Sequence, residues 1–275
     1  MSTGQSANQS QPRMIEADNL SVQLGERRAL DGVDLACDTG EFICVLGANG
    51  AGKTTLLKAI AGLVPHGGRV RLQGRDTQTM KPGERGRLVG YLPQGHHAHW
   101  PITAREAVAI GRIPHGATPG RPTLHDEQAI ARALEATDAT ALASRPITEL
   151  SGGERARVML ARALAVEARI LLADEPISAL DPAHQLAVME LLAQTAARGI
   201  TVLAALHDLT LAARYATRVV VLVAGRIAAD GPPRAVLSPA LLATAFGITA
   251  LHLEHDGAPV LVSWTRIADS GRSGQ

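Results

Sequence analysis

The sequence is poor in residue types that often dominate a protein's packing or chemistry. Among its 275 residues there are two Trp, two Tyr and two Phe, so the core must pack with aliphatic side chains. Only two cysteines occur, Cys37 and Cys44, in or beside predicted strands. They match neither a metal-ligand spacing nor a disulfide framework, and we interpret them as small buried thiols of a reducing compartment.

An excess of charge of one sign is also lacking. The chain carries 27 basic and 26 acidic residues, for a formal net charge of +1. This balance gives no reason to expect a nucleic acid as partner. Lysine is scarce, with Lys53, Lys58 and Lys81 the only examples, so arginine supplies nearly all the positive charge.

Long hydrophobic runs are absent too. No uninterrupted apolar stretch approaches the roughly 20 residues that span a bilayer, and the longest, such as residues 219–224, have the length of a strand. Residues 1–13 lack the apolar segment of a secretory signal and are expected to form a disordered tail. We therefore expect a soluble protein that reaches a membrane only through a partner.

A glycine-rich segment gives the first chemical signal. Residues 47–54 read GANGAGKT, which matches G-x-x-x-x-G-K-T, and they lie between an apolar strand predicted over 42–46 and a helix predicted over 54–61. This context favours a phosphate-binding loop over a chance turn. Backbone N–H groups and the helix N-terminus would surround the anion, while the Lys53 amine contacts the outer phosphates and the Thr54 hydroxyl ligates Mg²⁺. The expected nucleotide contacts are Gly47, Ala48, Asn49, Gly50, Ala51, Gly52, Lys53, Thr54 and Thr55.

The order of predicted elements defines the fold class. Strands alternate with helices, which predicts an α/β fold with a largely parallel, buried sheet covered by helices. Between about residues 95 and 166 the pattern is mostly helical, and we interpret this part as an insert. The predicted strands are 15–24, 32–36, 42–46, 69–73, 88–92, 170–173, 200–206 and 219–223, followed by a small hairpin at 251–262. The predicted helices are 54–61, 104–110, 126–137, 151–165, 183–197 and 209–215.

Two carboxylates end the apolar strand at 170–173. An Asp-Glu pair alone is more often a surface loop start, but an apolar strand and a phosphate loop in the same chain favour catalysis. Asp174 can hold the Mg²⁺ that Thr54 also contacts, because hard cations prefer oxygen ligands. Glu175 can face an attacking water and take its proton.

A second glycine-containing helix start lies at residues 150–154, LSGGE. Ser151 could be an ordinary N-cap, but Gly152 and Gly153 weaken a first turn and suit close approach by an anion. Since the first loop already holds the phosphates, this anion is expected to belong to a nucleotide on another copy of the chain.

These motifs resemble the ATP-binding-cassette family over about residues 14–264. The resemblance also includes ILLADE at 170–175, SALD at 178–181 and His207 after the next predicted strand. LSGGE between a phosphate loop and a carboxylate strand is highly specific for it. The resemblance implies a P-loop NTPase with a RecA-like, mostly parallel core, an antiparallel β subdomain and a helical signature subdomain at about 95–166, followed by a C-terminal tail at 265–275.

The resemblance also implies a role for each motif. Glu175 corresponds to the general base, His207 to the histidine that positions the γ-phosphate and water, and Lys53 to a residue that stabilises the transferring phosphoryl group. Gln94 corresponds to the glutamine that contacts Mg²⁺ and the lytic water and senses the membrane partner. The signature that closes on the γ-phosphate across a homodimer is matched by Ser151, Gly152, Gly153 and Glu154, and the loop linking the paired sites by residues 178–181, which include Asp181.

Two positions depart from the family pattern. The residue that usually stacks an aromatic ring on adenine is Leu24, which can pack on the base without the stacking geometry. We therefore expect weaker discrimination between bases. The usual threonine after Asp-Glu-Pro is Ile177, and little effect on the chemistry is expected.

Within the family, one cassette without a membrane span or a long heptad insert indicates the ATPase subunit of an importer. The segments GRIPH at 111–115, LDPAHQ at 180–185 and HDLTLAARY at 207–215 resemble importers of iron–siderophore, haem and cobalamin, with iron chelates the first choice and haem the second. That resemblance implies separate permease subunits and a periplasmic or surface substrate-binding protein that is contacted indirectly. It also implies a peripheral location at the cytoplasmic face of the plasma membrane.

Alternatives remain open at this stage. One is a soluble repair or regulatory ATPase that uses the cassette as an ATP-driven clamp, and another is a nucleotide-binding scaffold without turnover, although Glu175 and His207 are both present. His96, His97 and His99 with Trp100 could bind a metal, but a loop facing the membrane subunit is the preferred interpretation.

Overall fold

The computed structural model of the protein describes residues 13–95, 101–118, 120–178 and 180–267. Residues 1–12 of the expected tail, the segment from His96 to Trp100, and Ala179 lie outside the described residues, as do 268–275. None of the described helices is long and apolar enough to span a membrane.

Strands and helices alternate through most of the chain. The strands are β1 (Arg13–Leu24), β2 (Arg27–Asp38), β3 (Phe42–Leu46), β4 (Gly67–Leu72), β5 (Arg75–Asp76), β6 (Val89–Leu92), β7 (Ile170–Asp174), β8 (Thr201–Ala205), β9 (Arg218–Val223), β10 (Arg226–Gly231), β11 (Ile248–His255) and β12 (Ala258–Arg266). The α-helices are α1 (Lys53–Ile60), α2 (Pro82–Leu88), α3 (Ala104–Ala109), α4 (Leu124–Ala136), α5 (Gly152–Leu164), α6 (Pro182–Ala197), α7 (Leu209–Tyr215), α8 (Pro233–Val236) and α9 (Pro239–Phe246).

A six-stranded sheet forms the centre in the order β10-β9-β3-β8-β7-β6. Neighbours from β9 to β6 are parallel, and β10 returns antiparallel along the β9 edge. β3, β7 and β8 are buried at every position, as expected for parallel strands covered on both faces. Their carboxyl ends lie at one edge of the sheet, where parallel α/β proteins commonly bind ligands.

An antiparallel sheet packs beside this core, with the order β2-β1-β4-β5. The β1–β2 hairpin turns at Gly25 and Glu26, so that Leu24 and Arg27 are directly opposite each other. Between β6 and β7 the chain forms α3, α4 and α5, with 3₁₀ turns at Ile110–His115, Thr140–Leu142 and Ile147–Glu149. The predicted division into a parallel core, an antiparallel sheet and a helical insert is confirmed.

The two faces of the central sheet pack into different hydrophobic clusters. Cys44 and Leu46 of β3 face the cluster that contains α3 to α7, whereas Ile43 and Val45 face the cluster that contains α1, β1, β2 and β4. Cys37 belongs to the second cluster and Cys44 to the first. Both thiols are free and buried, and burial raises the pKa of each. The predicted burial of both thiols is confirmed, and the assignment to a reducing compartment stays a prediction.

Several boundaries differ from the sequence predictions. The second strand, predicted over residues 32–36, extends over Arg27–Asp38 because its pairing with β1 continues on both sides of that segment. β1 begins at Arg13, the last residue of the expected tail, and β12 ends at Arg266, inside the segment expected to follow the domain. No sequence pattern predicted α2, β5, β10, α8 or α9.

Candidate nucleotide-binding and hydrolysis site

Residues 47–52 form a tight loop between β3 and α1 that depends on glycine at two positions. Gly47 has φ +151°, and a Cβ there would lie 2.4 Å from the Leu222 carbonyl oxygen. Gly52 has φ +110°, and its Cβ would lie 2.7 Å from the Ala29 carbonyl oxygen. Any other residue would collide with backbone at both places, so the loop can approach its neighbours only with glycine.

The start of α1 faces the loop without a side-chain cap. Gly52 is the N-cap residue, none of the side chains that the structure describes caps the first turn, and that turn carries no acidic residue. These N–H groups and the helix dipole are therefore available to an anion. Lys53 is buried, and its Nζ donates hydrogen bonds to the carbonyl oxygens of Gly47 at 2.7 Å and Ala48 at 3.2 Å. Burial lowers the pKa of Lys53, although Glu175 and Asp174 act in the opposite direction.

The end of β7 brings a carboxylate to the phosphate loop. Thr54 donates its hydroxyl hydrogen to Asp174 Oδ1 at 3.1 Å. Asp174 is 1% exposed, its Oδ2 is buried with no hydrogen-bond partner in the described part of the chain, and burial raises its pKa. A buried carboxylate oxygen without a partner is costly unless a ligand satisfies it. Asp174 and the Thr54 hydroxyl therefore fit a Mg²⁺ ion, which prefers such oxygen donors.

Glu175 and His207 contact each other at the cleft. His207 Nε2 donates to Glu175 Oε1 at 2.7 Å, from the segment after β8 to the segment after β7. Glu175 has φ +53°, an uncommon conformation for a residue with a side chain, and its N–H donates to the Ala205 carbonyl oxygen at 3.1 Å. A residue held in this conformation by its surroundings is typical of functional sites.

A cleft of about 360 Å³ unites most of the residues that the sequence singles out. Its lining comes from the phosphate loop and the start of α1, from the hairpin with Leu24, and from Glu175 and His207 after the strands β7 and β8. The lining residues are Leu24, Arg27, Ala29, Asn49, Gly50, Ala51, Gly52, Lys53, Thr54, Thr55, Gln94, Glu175 and His207. Gly47 and Ala48 contribute carbonyl groups to Lys53, and Asp174 joins the cleft through Thr54.

The signature residues do not line this cleft within one chain. Ser151 caps α5 by accepting a hydrogen bond from the Glu154 N–H at 3.2 Å, while Glu154 Oε2 accepts from the Ser151 N–H at 2.8 Å. Arg145 holds the other Glu154 oxygen at 3.0 Å. Ser151 and Gly152 are exposed and Gly153 is partly exposed, so this helix start is presented to the outside of the chain.

Asp181 likewise lies away from the cleft, at the N-terminus of α6. Its carboxylate accepts from the His184 N–H at 3.0 Å and from His184 Nδ1 at 2.7 Å, and these hydrogen bonds lower its pKa. Gln185 donates to the carbonyl oxygens of Leu180 at 3.2 Å and Ile177 at 3.4 Å. Ile177, Leu180 and Asp181 are therefore tied to α6.

Sequence reasoning missed two lining residues, Arg27 and Ala29. Both follow the hairpin turn, and their position depends on the register that pairs β2 with β1. The available signal was the Gly25 turn, because a two-residue turn after Leu24 places Arg27 opposite it.

Comparison with known proteins agrees with this geometry. A family model described as ABC transporter matches residues 30–178. Hemin import ATP-binding protein HmuV of Nocardia farcinica is 50% identical over 230 residues, which cover 83% of this chain and 79% of that protein. HmuV of Rhodococcus jostii is 44% identical over 242 residues, with 88% and 82% covered.

Solved structures show the same architecture. A metal-chelate type ABC transporter in an inward-facing conformation aligns with a TM-score of 0.79 at 26% identity, covering 92% of this chain and 98% of that chain. A dimeric ATP-binding cassette in a post-hydrolysis state with ADP and Pi aligns with a TM-score of 0.72 at 28% identity, covering 80% and 99%.

The chain belongs to the ABC transporter family. Within that family it is an ATP-binding subunit, and it is an ATP hydrolase of the kind that drives transport. The family and fold expected from GANGAGKT, LSGGE and ILLADE are thereby confirmed.

Proposed function

We propose that the chain is the ATPase subunit of an importer that takes up haem through a separate membrane permease. The observation that carries the ATPase part is the cleft where Lys53, Glu175 and His207 converge. The relatives named above support haem as the cargo, because both are hemin import proteins. We therefore propose haem ahead of the siderophore that the sequence motifs ranked first, and the resemblance to a metal-chelate transporter is consistent with either.

Each group of cleft residues has a different role in hydrolysis. The N–H groups of the loop and of α1 bind the phosphates. The Lys53 amine gives up its hydrogen bonds to the carbonyl oxygens of Gly47 and Ala48 and contacts the outer phosphates instead. Glu175 accepts the proton of the attacking water, since its carboxylate lies beside the loop and is oriented by His207. His207 then holds the γ-phosphate and water in place. Positioning and electrostatic stabilisation supply most of phosphoryl-transfer catalysis.

Asp174 and Thr54, with Gln94 at the cleft wall, would hold Mg²⁺. The unpartnered Asp174 Oδ2 and the adjacent Thr54 hydroxyl support this assignment. When bound, the ion neutralises negative charge on the phosphate oxygens. The chain's own part is to keep the Asp174 carboxylate ionised despite its burial and to keep the Thr54 hydroxyl beside it.

A head-to-tail homodimer would complete each site. The signature start at Ser151 and Gly152 is exposed and does not line the cleft of its own chain, so a second copy can present it to the γ-phosphate. The dimeric cassette with ADP and Pi is a precedent for such pairing. In a symmetric dimer the same two patches meet twice and form two equivalent sites.

The permease contact has a candidate surface on the helical insert. An apolar cavity of about 300 Å³ is lined by residues that include Ile102, Ile110 and Ile113. Ile110 is 39% exposed and Ile113 is 50% exposed. Exposed apolar side chains around a cavity are typical of a protein contact site, and a cytoplasmic segment of the permease fits this one. That contact would hold the subunit at the cytoplasmic face of the plasma membrane, where a substrate-binding protein outside the cell affects it only indirectly.

Replacing Glu175 with glutamine tests the catalytic assignment. Glutamine keeps the shape but cannot accept a proton, so the ATP hydrolysis rate should fall by about 10²- to 10⁴-fold while ATP affinity is retained and a dimer accumulates. Lys53→Ala should instead weaken ATP binding itself. Hydrolysis by Glu175→Gln at the wild-type rate would show that another group is the base.

Haem import needs a transport measurement. The subunit would be reconstituted with its permease and binding protein in liposomes, and ATP-dependent uptake of haem would be compared with uptake of a ferric siderophore and cobalamin. Haem uptake that Glu175→Gln abolishes is the expected result. ATPase activity stimulated by DNA or ribosomes, and not by the membrane subunits, would contradict the proposal.

A further inference from the structure

We infer that Arg27 is a base-binding residue whose planar guanidinium stacks on the purine that Leu24 alone holds weakly. The inference rests on the proposed ATP site and adds a residue to it. Leu24 and Arg27 occupy directly opposed positions beside the hairpin turn, and both line the cleft. Opposed residues of an antiparallel pair lie on the same face, so the two side chains form one wall.

The guanidinium is anchored at the phosphate loop. Arg27 donates a hydrogen bond to the Gly50 carbonyl oxygen. A Cβ on Gly50 would lie 3.1 Å from an Arg27 terminal nitrogen, so the guanidinium lies directly beside the loop. This anchor fixes one edge of the group and leaves its planar faces without a hydrogen-bonding role.

The charge of Arg27 also lacks a partner among the described residues. Within the part of the chain that the structure describes, no carboxylate lies at ion-pair distance from its guanidinium, and the residue is exposed. By contrast, the neighbouring Arg28 pairs with Asp31 at 2.7 Å. An unpaired, anchored guanidinium at the rim of an anion-binding cleft is positioned for a ligand.

The chemistry of the group indicates which part of the ligand it contacts. A guanidinium stacks on flat aromatic systems through both its charge and its plane, and lysine does not reproduce this. Leu24 is 49% exposed and offers apolar surface but no planar face. Arg27 therefore supplies the flat, polarisable surface on this wall, and the base would lie against Leu24 and Arg27 while the phosphates extend toward Lys53.

The test separates base contacts from phosphate contacts. The affinity of the full chain for ATP is measured by equilibrium titration, and its affinity for inorganic tripolyphosphate, which has no base, by competition. Cation–π contacts at exposed sites correspond to about a two- to fivefold change in affinity. Arg27→Ala and Arg27→Lys should each weaken ATP binding by that factor and leave tripolyphosphate binding unchanged.

Arg28→Ala is the matched control. It removes the same charge from the next residue of β2, which opposes Gln23 and lies away from the cleft, so it should alter neither affinity. Equal loss of ATP and tripolyphosphate affinity in Arg27→Ala would show that the residue supports only the phosphate loop. Wild-type ATP affinity in Arg27→Lys or in Arg27→Ala would also overturn the inference. If the wild-type chain bound neither ligand, the proposed function itself would fail.

Discussion

Replacing Arg112 with alanine should destabilise the helical insert more than any exposed charge change nearby. Arg112 is 1% exposed, and its guanidinium donates to Asp126 Oδ1 at 2.9 Å, to the Ala165 carbonyl oxygen at 2.8 Å and to Glu167 Oε2 at 3.0 Å. These bonds join the 3₁₀ turn after α3 to the first turn of α4 and to the end of α5. Alanine would leave the buried Asp126 carboxylate without its cation.

The magnitude follows from burial of both partners. Removing one member of a buried ion pair costs about 3–5 kcal/mol, because the other charge stays buried and unpaired. Arg132 provides the comparison, since it contacts the same Glu167 at 2.7 Å but its side chain is 56% exposed. An exposed pair contributes about 0–1 kcal/mol, so Arg132→Ala should be nearly neutral.

Urea unfolding followed by far-UV circular dichroism measures both variants on one scale. The free energy of unfolding is obtained by linear extrapolation, and similar slopes for the variants would allow direct comparison. We expect Arg112→Ala to lose about 3–5 kcal/mol and Arg132→Ala at most about 1 kcal/mol. Equal losses in the two variants would show that burial does not determine the contribution of this network.

Two further predictions concern the nucleotide site. Leu24→Tyr should raise the preference for ATP over GTP, because it adds the ring geometry that leucine lacks; the ratio of kcat/KM for the two nucleotides measures this, and an unchanged ratio would contradict it. Burial raises the pKa of Asp174 and lowers that of Lys53, so both groups are charged over a narrower pH range than free side chains. As the pH is lowered, the affinity for ATP with Mg²⁺ should begin to fall while the pH is still above 3.8, the ordinary pKa of an aspartate. As the pH is raised, the affinity should begin to fall while the pH is still below 10.5, the ordinary pKa of a lysine. A titration of the dissociation constant in which the affinity begins to fall only at or outside those two pH values would refute this.

The sequence predicted the central elements well because their signals are local. The apolar runs that became β3, β7 and β9 are fully or largely buried, and the helix predicted over 209–215 matches α7, which begins after an Asp208 N-cap and ends at Tyr215. By contrast, α2 contains two glycines and no buried residue, so no hydrophobic periodicity marks it.

In the site too, residues of one continuous segment could be predicted, whereas residues placed by contacts distant in sequence could not. The phosphate loop and the Asp174–Glu175 pair could be predicted because each is one continuous segment flanked by a strand. The family resemblance implies only that His207 and Glu175 both lie near the γ-phosphate, and it does not predict the hydrogen bond between them. Arg27 could not be assigned from sequence because its place in the cleft depends on hairpin register and on contact with Gly50, which is 23 positions further along the chain. The roles predicted for all of these residues, and for Gln94, Ser151 and Asp181, stay predictions.

The separation of the two hydrophobic clusters has a consequence for how core substitutions act. Along β3, residues 43 and 45 face α1 and the antiparallel sheet, whereas residues 42, 44 and 46 face the side that includes the signature helix. Whether a β3 residue has an odd or an even number thus determines which of the two clusters loses packing when that residue is truncated. Truncating Ile43 would loosen the support of the nucleotide loop, whereas truncating Leu46, three positions later in the same strand, would loosen the packing on the side that includes α5.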